Sequence, residues 1–296
     1  APSRMVHGGP RYLETGELRL VRESTYERNL LLRNAPHLVE PLRTVVPLHS
    51  RFGGIVGTLR KLAGRPGGSG RRGAVLMRLG LGFYDWLGRR GRVLPRHTMI
   101  ARDALLTRMP ALSPSVIGAA IYYDAWITHP ERLNLELVTD AIEANPRSAV
   151  LTYTRVAGLE GDRVLLVDEI DGRQLAVRPQ IVVNATGAWI DATNDALGVG
   201  GRLIGGTKGS HLVLDHQELH DALDSSMLWF EASDGRTCIV FPFMGLVLLG
   251  STDIRVDDPD PVRCEDAEID YMLGVLREVL PAIAVDRSQI VFCYAG

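Results

Sequence analysis

A change of hydrophobic period limits what this chain can fold into. Leu133, Leu137, Val138, Ala141 and Ile142 recur at helical spacing, and Pro130 sits in the first turn, where its missing N–H does no harm. Past Pro146 the pattern becomes short apolar runs broken by glycine, proline and aspartate. Strands are expected at 149–157, 164–170, 175–177, 181–187, 211–214, 227–231, 238–243, 246–249 and 289–294. Asp171-Gly172 forms a hairpin turn between two of them. Further helices are expected at 17–34, 74–87, 188–197 and 265–280, with strands at 42–48 and 117–127. Strands interleaved with separate helices imply a mixed α/β or α+β architecture.

At 296 residues the chain holds one large domain or two ordinary ones. It is 46% hydrophobic and 23% charged, which excludes disordered, collagen-like and coiled-coil chains. No apolar run reaches the roughly 18 residues that span a bilayer. Cys238, Cys264 and Cys293 are scattered and form no CxxC, so neither a zinc or redox motif nor a disulfide framework is expected, and the compartment reads as reducing and intracellular. His216 and His220 are the one helical histidine pair and read as solvated, so no metal site is expected. The net charge of −2 hides an asymmetry: 51–96 carries eleven basic residues against Asp85 alone. Such a block suits an anionic surface, although a solvated insertion is an equal reading. It lacks any nucleic-acid-binding module.

Several short motifs carry chemistry. Gly68-Ser-Gly-Arg-Arg-Gly73 matches G-x-G-x-x-G literally, but Gly64-Arg-Pro-Gly precedes it where a dinucleotide fingerprint needs a strand, so it reads as coincidence. Ser3-Arg-Met-Val-His-Gly-Gly-Pro-Arg-Tyr-Leu13 places two glycines beside a histidine, which allows close approach of backbone to a flat or anionic ligand. Arg11 adds a fork of donors suited to phosphate, and His7 a group that takes a proton near neutral pH. Alone, the segment reads more readily as a turn with a surface arginine. Asn184-Ala-Thr-Gly187 with Trp189, Lys208-Gly-Ser-His211, Gly250-Ser-Thr-Asp253 and Tyr294-Ala-Gly296 are each weak alone.

In this order and spacing, together with Ala35-Pro-His-Leu38, these motifs resemble the FAD-dependent glycerol-3-phosphate dehydrogenases within the D-amino-acid-oxidase-like flavoproteins. The resemblance implies an α/β (mixed α+β) chain: an incomplete Rossmann-like FAD-binding domain at 1–42, 128–200 and 286–296, and a β-sheet-rich substrate (cap) domain at 43–127 and 201–285. It implies oxidation of sn-glycerol 3-phosphate to dihydroxyacetone phosphate by hydride transfer to FAD, with electrons passed to quinone. His7 becomes the candidate for proton removal or orientation. Arg11, Tyr12, Lys208 and Tyr294 become substrate-binding candidates, with Arg11 also catalytic. Ser3, His7, Gly8, Gly9, Thr186, Gly187 and Trp189 would line FAD, with the Val156 backbone at the adenine. Thr252 and Asp253 would face the cavity, while His211 reads as a structural histidine at a strand end.

The departures are specific. Arg4 replaces the family's lysine, Pro10 its aliphatic residue, and the basic stretch around Gly53–Gly73 looks inserted. The opening strand with its glycine loop is missing, as is the Val-Arg-Pro-Leu that follows Tyr-x-Gly in the family. The expectation is therefore a fragment cut at both ends, inactive and weak in FAD binding by itself. The resemblance implies a cytoplasmic protein with a peripheral place on the inner face of the membrane, where 51–96 with Phe83, Tyr84 and Trp86 would meet anionic headgroups. A homodimer stays open. So do an oxidase using oxygen or another 2-hydroxy or amino acid, and a non-catalytic remnant.

Overall fold

Runs rich in β-branched and aromatic residues become strands, and 3.6-periodic runs become helices. The structure is a computed structural model that describes residues 3–54 and 73–296, apart from the side chains at 11, 14 and 15. The chain begins with β1 (Met5–Val6), α1 (Leu18–Asn34), β2 (Val39–Leu48), α2 (Ala74–Leu87), β3 (Thr98–Ala101), α3 (Arg102–Arg108) and β4 (Gly118–Ile127). Then come α4 (Pro130–Ala144), β5 (Thr154–Glu160), β6 (Arg163–Asp168), β7 (Gln174–Val177) and α5 (Ile190–Ala196). The remainder is β8 (Thr207–Lys208), β9 (Ser210–Leu214), α6 (Gln217–Ala222), β10 (Met227–Glu231), β11 (Thr237–Phe243), β12 (Leu246–Gly250), β13 (Ile254–Arg255), α7 (Asp266–Val279) and β14 (Ile290–Ala295).

The chain divides into two compact units. One comprises Ala1–Leu133, Gly209–Asp253 and Arg263–Gly296; the other comprises Asn134–Lys208 and Ile254–Val262. The first is built on a nine-stranded sheet of order β1-β4-β2-β10-β11-β12-β9-β14, with β3 also pairing β4. β10 runs parallel to β2, and the other pairs are antiparallel. The second holds the β5-β6-β7 meander and the two-stranded β13-β8 sheet.

Alternation of side chains sorts the large sheet into two faces. Val45, Ile121, Leu228, Val240, Leu249 and Leu212 lie on one face, which is sealed by Met272, Leu273, Leu276 and Val279 of α7 and by Leu105 and Met109 around α3. A capping box between Glu265 and Glu268 sets where α7 begins. The registers put Asp124, Trp229, Ile239, Leu248, His211 and Tyr294 on the opposite face. That face carries the loops considered below.

Most elements form where the sequence pattern puts them; α2 spans the expected 74–87. The strand expected at 181–187 does not form. Residues 181–186 are irregular, and a 3-10 turn follows at Gly187–Trp189. Ile181 and Val183 are 81% and 82% exposed. An apolar run becomes a strand only when a neighbouring strand satisfies its backbone, and among the described residues none pairs with it.

Replacing Leu276, buried against the sheet, by Ala should cost ~2–5 kcal/mol of unfolding free energy. The same change at exposed Leu137 on α4 should cost less than ~1 kcal/mol. Denaturant titration of both variants checks this.

Candidate functional site

The motif with the most local structure is the His7-Gly8-Gly9 loop. β1 pairs with β4 for only two positions, Met5 with Trp126 and Val6 with Ala125. The chain then lifts away and enters a 3-10 turn at Pro10–Thr15. Arg4 steadies the approach: its guanidinium donates to the Thr128 carbonyl at 3.2 Å, pairs with Glu131 at 3.5 Å and stacks over Phe243. Gly9 has φ +70°, a conformation glycine adopts without strain. Gly8 is required for a different reason, since a Cβ there would overlap the Tyr84 hydroxyl and the Thr25 methyl. His7 is exposed, with its ring 6.3 Å from that of Tyr12. The Arg11 side chain lies outside the described residues.

Beneath the loop is a cavity of about 430 Å³. His7 and Gly9 border it, and Val46, Leu76, Leu79, Phe83, Trp229 and Ile239 supply apolar walls. Tyr122 and Asp124 are the polar groups from β4 on its lining. An apolar cavity with a few converging polar groups is the usual form of a small-molecule site, and a flat ring system fits its chemistry.

Asp124 is 1% exposed. Its Oδ1 accepts from Gly8 N at 3.0 Å, Arg28 Nη1 at 2.6 Å and the Tyr84 hydroxyl at 3.2 Å. Burial and the Asp124 charge push the Tyr84 phenol well above its ordinary pKa, so it stays protonated and able to donate. Tyr84 was expected at a membrane interface together with Phe83 and Trp86. It is instead buried, because it shares with Leu81 the side of α2 that packs on the sheet. Sequence reasoning missed this cluster. The signal was present in Arg28, which follows Val21 and Thr25 along the inner stripe of α1, and in Asp124, the lone acid of an apolar strand.

A second centre on the same face is His211. It pairs in register with Gly250 on β12 and with Tyr294 on β14, and its ring stacks on Tyr294 at 5.6 Å. A Cβ on Gly250 would overlap the imidazole. Both ring nitrogens are buried with no hydrogen-bond partner among the described residues. Burial lowers the His211 pKa to about 4, against an opposing pull from the Gly209 backbone. Burial thus keeps the ring neutral at pH 7, with the Gly209 backbone as the polar group that favours its protonated form. Burial raises the Tyr294 pKa, partly offset by Arg4. Thr252 donates to Glu268 at 2.6 Å and accepts from Ser210 N at 2.9 Å, so its hydroxyl holds the loop in place, while Asp253 is exposed.

Ser3, His7, Gly8, Gly9, Tyr12 and Tyr294 belong to the first unit; Val156, Thr186, Gly187, Trp189 and Lys208 belong to the second. There Asn184 ties its own turn together, donating to the Ile190 carbonyl at 2.9 Å and Asn194 at 2.8 Å and accepting from the Thr186 hydroxyl at 2.7 Å. Gly187 has φ +60° with open space where a Cβ would stand. Trp189 donates its indole N–H to Asp260 at 2.6 Å. Val156 adjoins a register shift on β5, and Lys208 is buried on β8.

The family model for FAD-dependent oxidoreductases matches residues 1–296. A glycerol-3-phosphate dehydrogenase of Synechocystis is 34% identical over 99% of this chain and 52% of its own length. The aerobic glycerol-3-phosphate dehydrogenase of Escherichia coli is 31% identical over 100% of this chain and 54% of its own. The chain therefore spans about half the length of these curated relatives. Among solved structures, the FAD-complexed glycerol-3-phosphate dehydrogenase of Bacillus halodurans superposes with TM-score 0.69 at 20% identity, over 99% of this chain and 48% of that one. The L-alpha-glycerophosphate oxidase of Mycoplasma pneumoniae gives 0.65 at 16% identity, over 99% and 71%. These two likenesses establish the fold.

The His211 shift predicts a pH dependence. The folded ring binds its proton less readily than the unfolded one, at about 4 against 6.5. The neutral ring's contribution to stability is therefore fully present above about 6.5 and is lost as pH falls towards about 4. His211→Gln should flatten the acid side of the denaturation-midpoint profile in that window. An unchanged slope would show that the imidazole titrates normally.

Proposed function

The chain belongs to the FAD-dependent oxidoreductase family, and from that premise we propose that it forms part of a flavoenzyme oxidising sn-glycerol 3-phosphate to dihydroxyacetone phosphate. The observation that carries the reading is the apolar cavity bordered by His7 and Gly9, on the sheet face that also presents the buried, neutral His211. The dehydrogenase names of its relatives support the substrate. In this reading 1–42, 128–200 and 286–296 serve the cofactor, while 43–127 and 201–285 serve the substrate.

Bound FAD supplies the acceptor for a hydride from the substrate's C2. In the first unit Ser3, Gly8 and Gly9 are the candidates to line it; in the second, Thr186, Gly187, Trp189 and, for the adenine, the Val156 backbone are candidates in their own right. This chain's own work is binding, orientation and proton transfer. Arg11 is one candidate for the phosphate by its paired donors and Lys208, in the other unit, a separate candidate as a compact charge. Oxidation at C2 also releases the hydroxyl proton. His211 is the better proton acceptor, because its neutral form persists through pH 7 and its ring lies buried on this face of the sheet. A phosphate dianion nearby would raise its proton affinity towards neutrality. His7, exposed at the cavity's edge, then orients substrate and flavin, with Tyr12 beside it and Tyr294 steadying His211.

For the electron acceptor we propose a quinone, met at an anionic membrane surface. Leu79 and Trp86 stand exposed on α2, Trp86 stacks with Phe83 and carries Arg89 over its ring. Among the described residues no helix is long and apolar enough to cross a membrane, so the contact proposed is peripheral.

The complete gene product in a dye-linked assay should turn over glycerol 3-phosphate with kcat/KM at least ~100-fold above glycerol, the worth of losing charge-assisted phosphate contacts. Equal turnover of the two would sink the substrate assignment. His211→Ala should lower kcat ~10²–10⁴-fold, as loss of a general base does. Peroxide formation exceeding quinone-analogue reduction would replace quinone by oxygen. Neutralising Arg71, Arg72, Arg89 and Arg90 should abolish co-sedimentation with anionic vesicles, and undiminished binding would refute the membrane contact.

A further inference from the structure

We propose that Arg28 and Asp124 are positioning residues that set the His7–Gly9 loop, with the Asp124 carboxylate replacing the β-ladder at the point where the chain leaves the sheet. The proposal deepens the flavoenzyme reading and rests on it for its kinetic consequence alone.

The register shows why a side chain is needed there. Continuing the β1–β4 ladder from Met5–Trp126 and Val6–Ala125 would put His7 opposite Asp124. The pairing ends before that step, and the next amide, Gly8 N, turns to the Asp124 side chain instead. The carboxylate has a backbone amide as one partner and groups from two helices as the others: Arg28 from α1 and Tyr84 from α2. Arg28 Nη1 also contacts the Tyr84 hydroxyl at 2.7 Å and the Tyr123 carbonyl at 3.4 Å. Gly8 is seated so closely that no Cβ fits against Tyr84 and Thr25. The loop is thereby fixed in distance by packing and in direction by a hydrogen bond.

Simple stabilisation does not account for this arrangement. An ion pair built for strength would use both carboxylate oxygens against both guanidinium edges. Here the three donors gather on Oδ1, while Asp124 Oδ2 and Arg28 Nε have no partner among the described residues. Buried pairs replaced by apolar side chains of similar volume are often as stable as the original. What an apolar pair cannot supply is an acceptor for Gly8 N. Because Asp124, His7 and Gly9 border the same cavity, an error in the Gly8 position is passed directly to its mouth.

The test uses the complete flavoprotein and two double variants. Arg28→Met with Asp124→Leu replaces the pair by apolar groups and removes the acceptor. Arg28→Met with Asp124→Asn removes the charges but keeps an amide oxygen for Gly8. Three quantities are read: thermal midpoint, amide hydrogen exchange in the peptide spanning residues 5–12, and FAD dissociation followed by flavin fluorescence. The Met/Leu variant should fold with a midpoint lowered by the unmet Gly8 amide and Tyr84 hydroxyl, exchange the 5–12 amides at least ~10-fold faster and release FAD ~10-fold more readily, as loss of a local buried hydrogen bond predicts. Its kcat should fall ~30-fold or more with KM within ~3-fold, since misplacement acts on the reacting geometry. The Met/Asn variant should recover most of the exchange protection and FAD affinity.

Parental exchange and FAD affinity in a folded Met/Leu variant would overturn the proposal, as would equal damage in Met/Asn. Should Met/Leu not fold, the comparison of Met/Asn with the parent decides: loss of 5–12 protection there, with the acceptor retained, overturns it. If the parent fails to oxidise glycerol 3-phosphate, the substrate reading fails, while exchange and FAD release still judge the loop.

Discussion

Buried carboxylates tie down loops on both sides of the nine-stranded sheet. Asp124 takes Gly8 N at one end. On the side packed by α7, Glu268 takes the Glu265 amide at 2.9 Å, the Ser210 hydroxyl at 2.8 Å and the Thr252 hydroxyl at 2.6 Å, and Thr252 in turn receives Ser210 N. Apolar burial has no direction. A desolvated carboxylate does, because leaving any of its donors unmet is expensive. Loops that must stand at one angle to the sheet are therefore tied by acids whose removal from water only hydrogen bonds can offset.

This division of labour follows from the two faces of the sheet. The face against α7 and α3 is filled by leucine, valine and methionine, and it supplies the stability that lets the other face be imperfect. On that other face the alternation places Asp124, Trp229, Ile239, His211 and Tyr294. It tolerates an imidazole with both nitrogens unmet, at a cost that the sealed side absorbs. Unmet polar groups of this kind are rare in protein interiors.

Much of the fold was legible in the sequence. α2 and α7 were visible from their periodicity, and most strands from their alternation. The run at 181–187 was misread because local pattern cannot reveal whether a neighbouring strand exists. At the site, the glycines beside His7 were legible as a loop, yet Arg28 and Asp124 were not singled out, since each looks ordinary until its burial is known. The alternation of His211 and Val213 against Leu212 and Leu214 sets His211 apart from the core-facing side chains. The joint evidence was there: an arginine on the inner stripe of a helix and an acid within an apolar strand each require a buried partner, and each can be the other's.

The range of the contacts explains the difference. In the second unit the motif around Asn184 holds its own shape: its partners Thr186, Ile190 and Asn194 lie within ten residues. Nearby, Asp191 receives the amides of Leu203 and Ile204 at 2.9 and 3.1 Å. Such a turn is written almost entirely in local sequence. In the first unit Gly8 is held by a residue 116 positions away, Asp124, which is itself held by Arg28, 96 positions away. Closing loops of that length fixes little locally, so the short motif shows only the freedom of its glycines. The residues that remove that freedom lie on elements whose sequence, read alone, speaks only of core. A glycine motif thus marks where a backbone can approach a ligand, and the long-range acid decides in which conformation it does so.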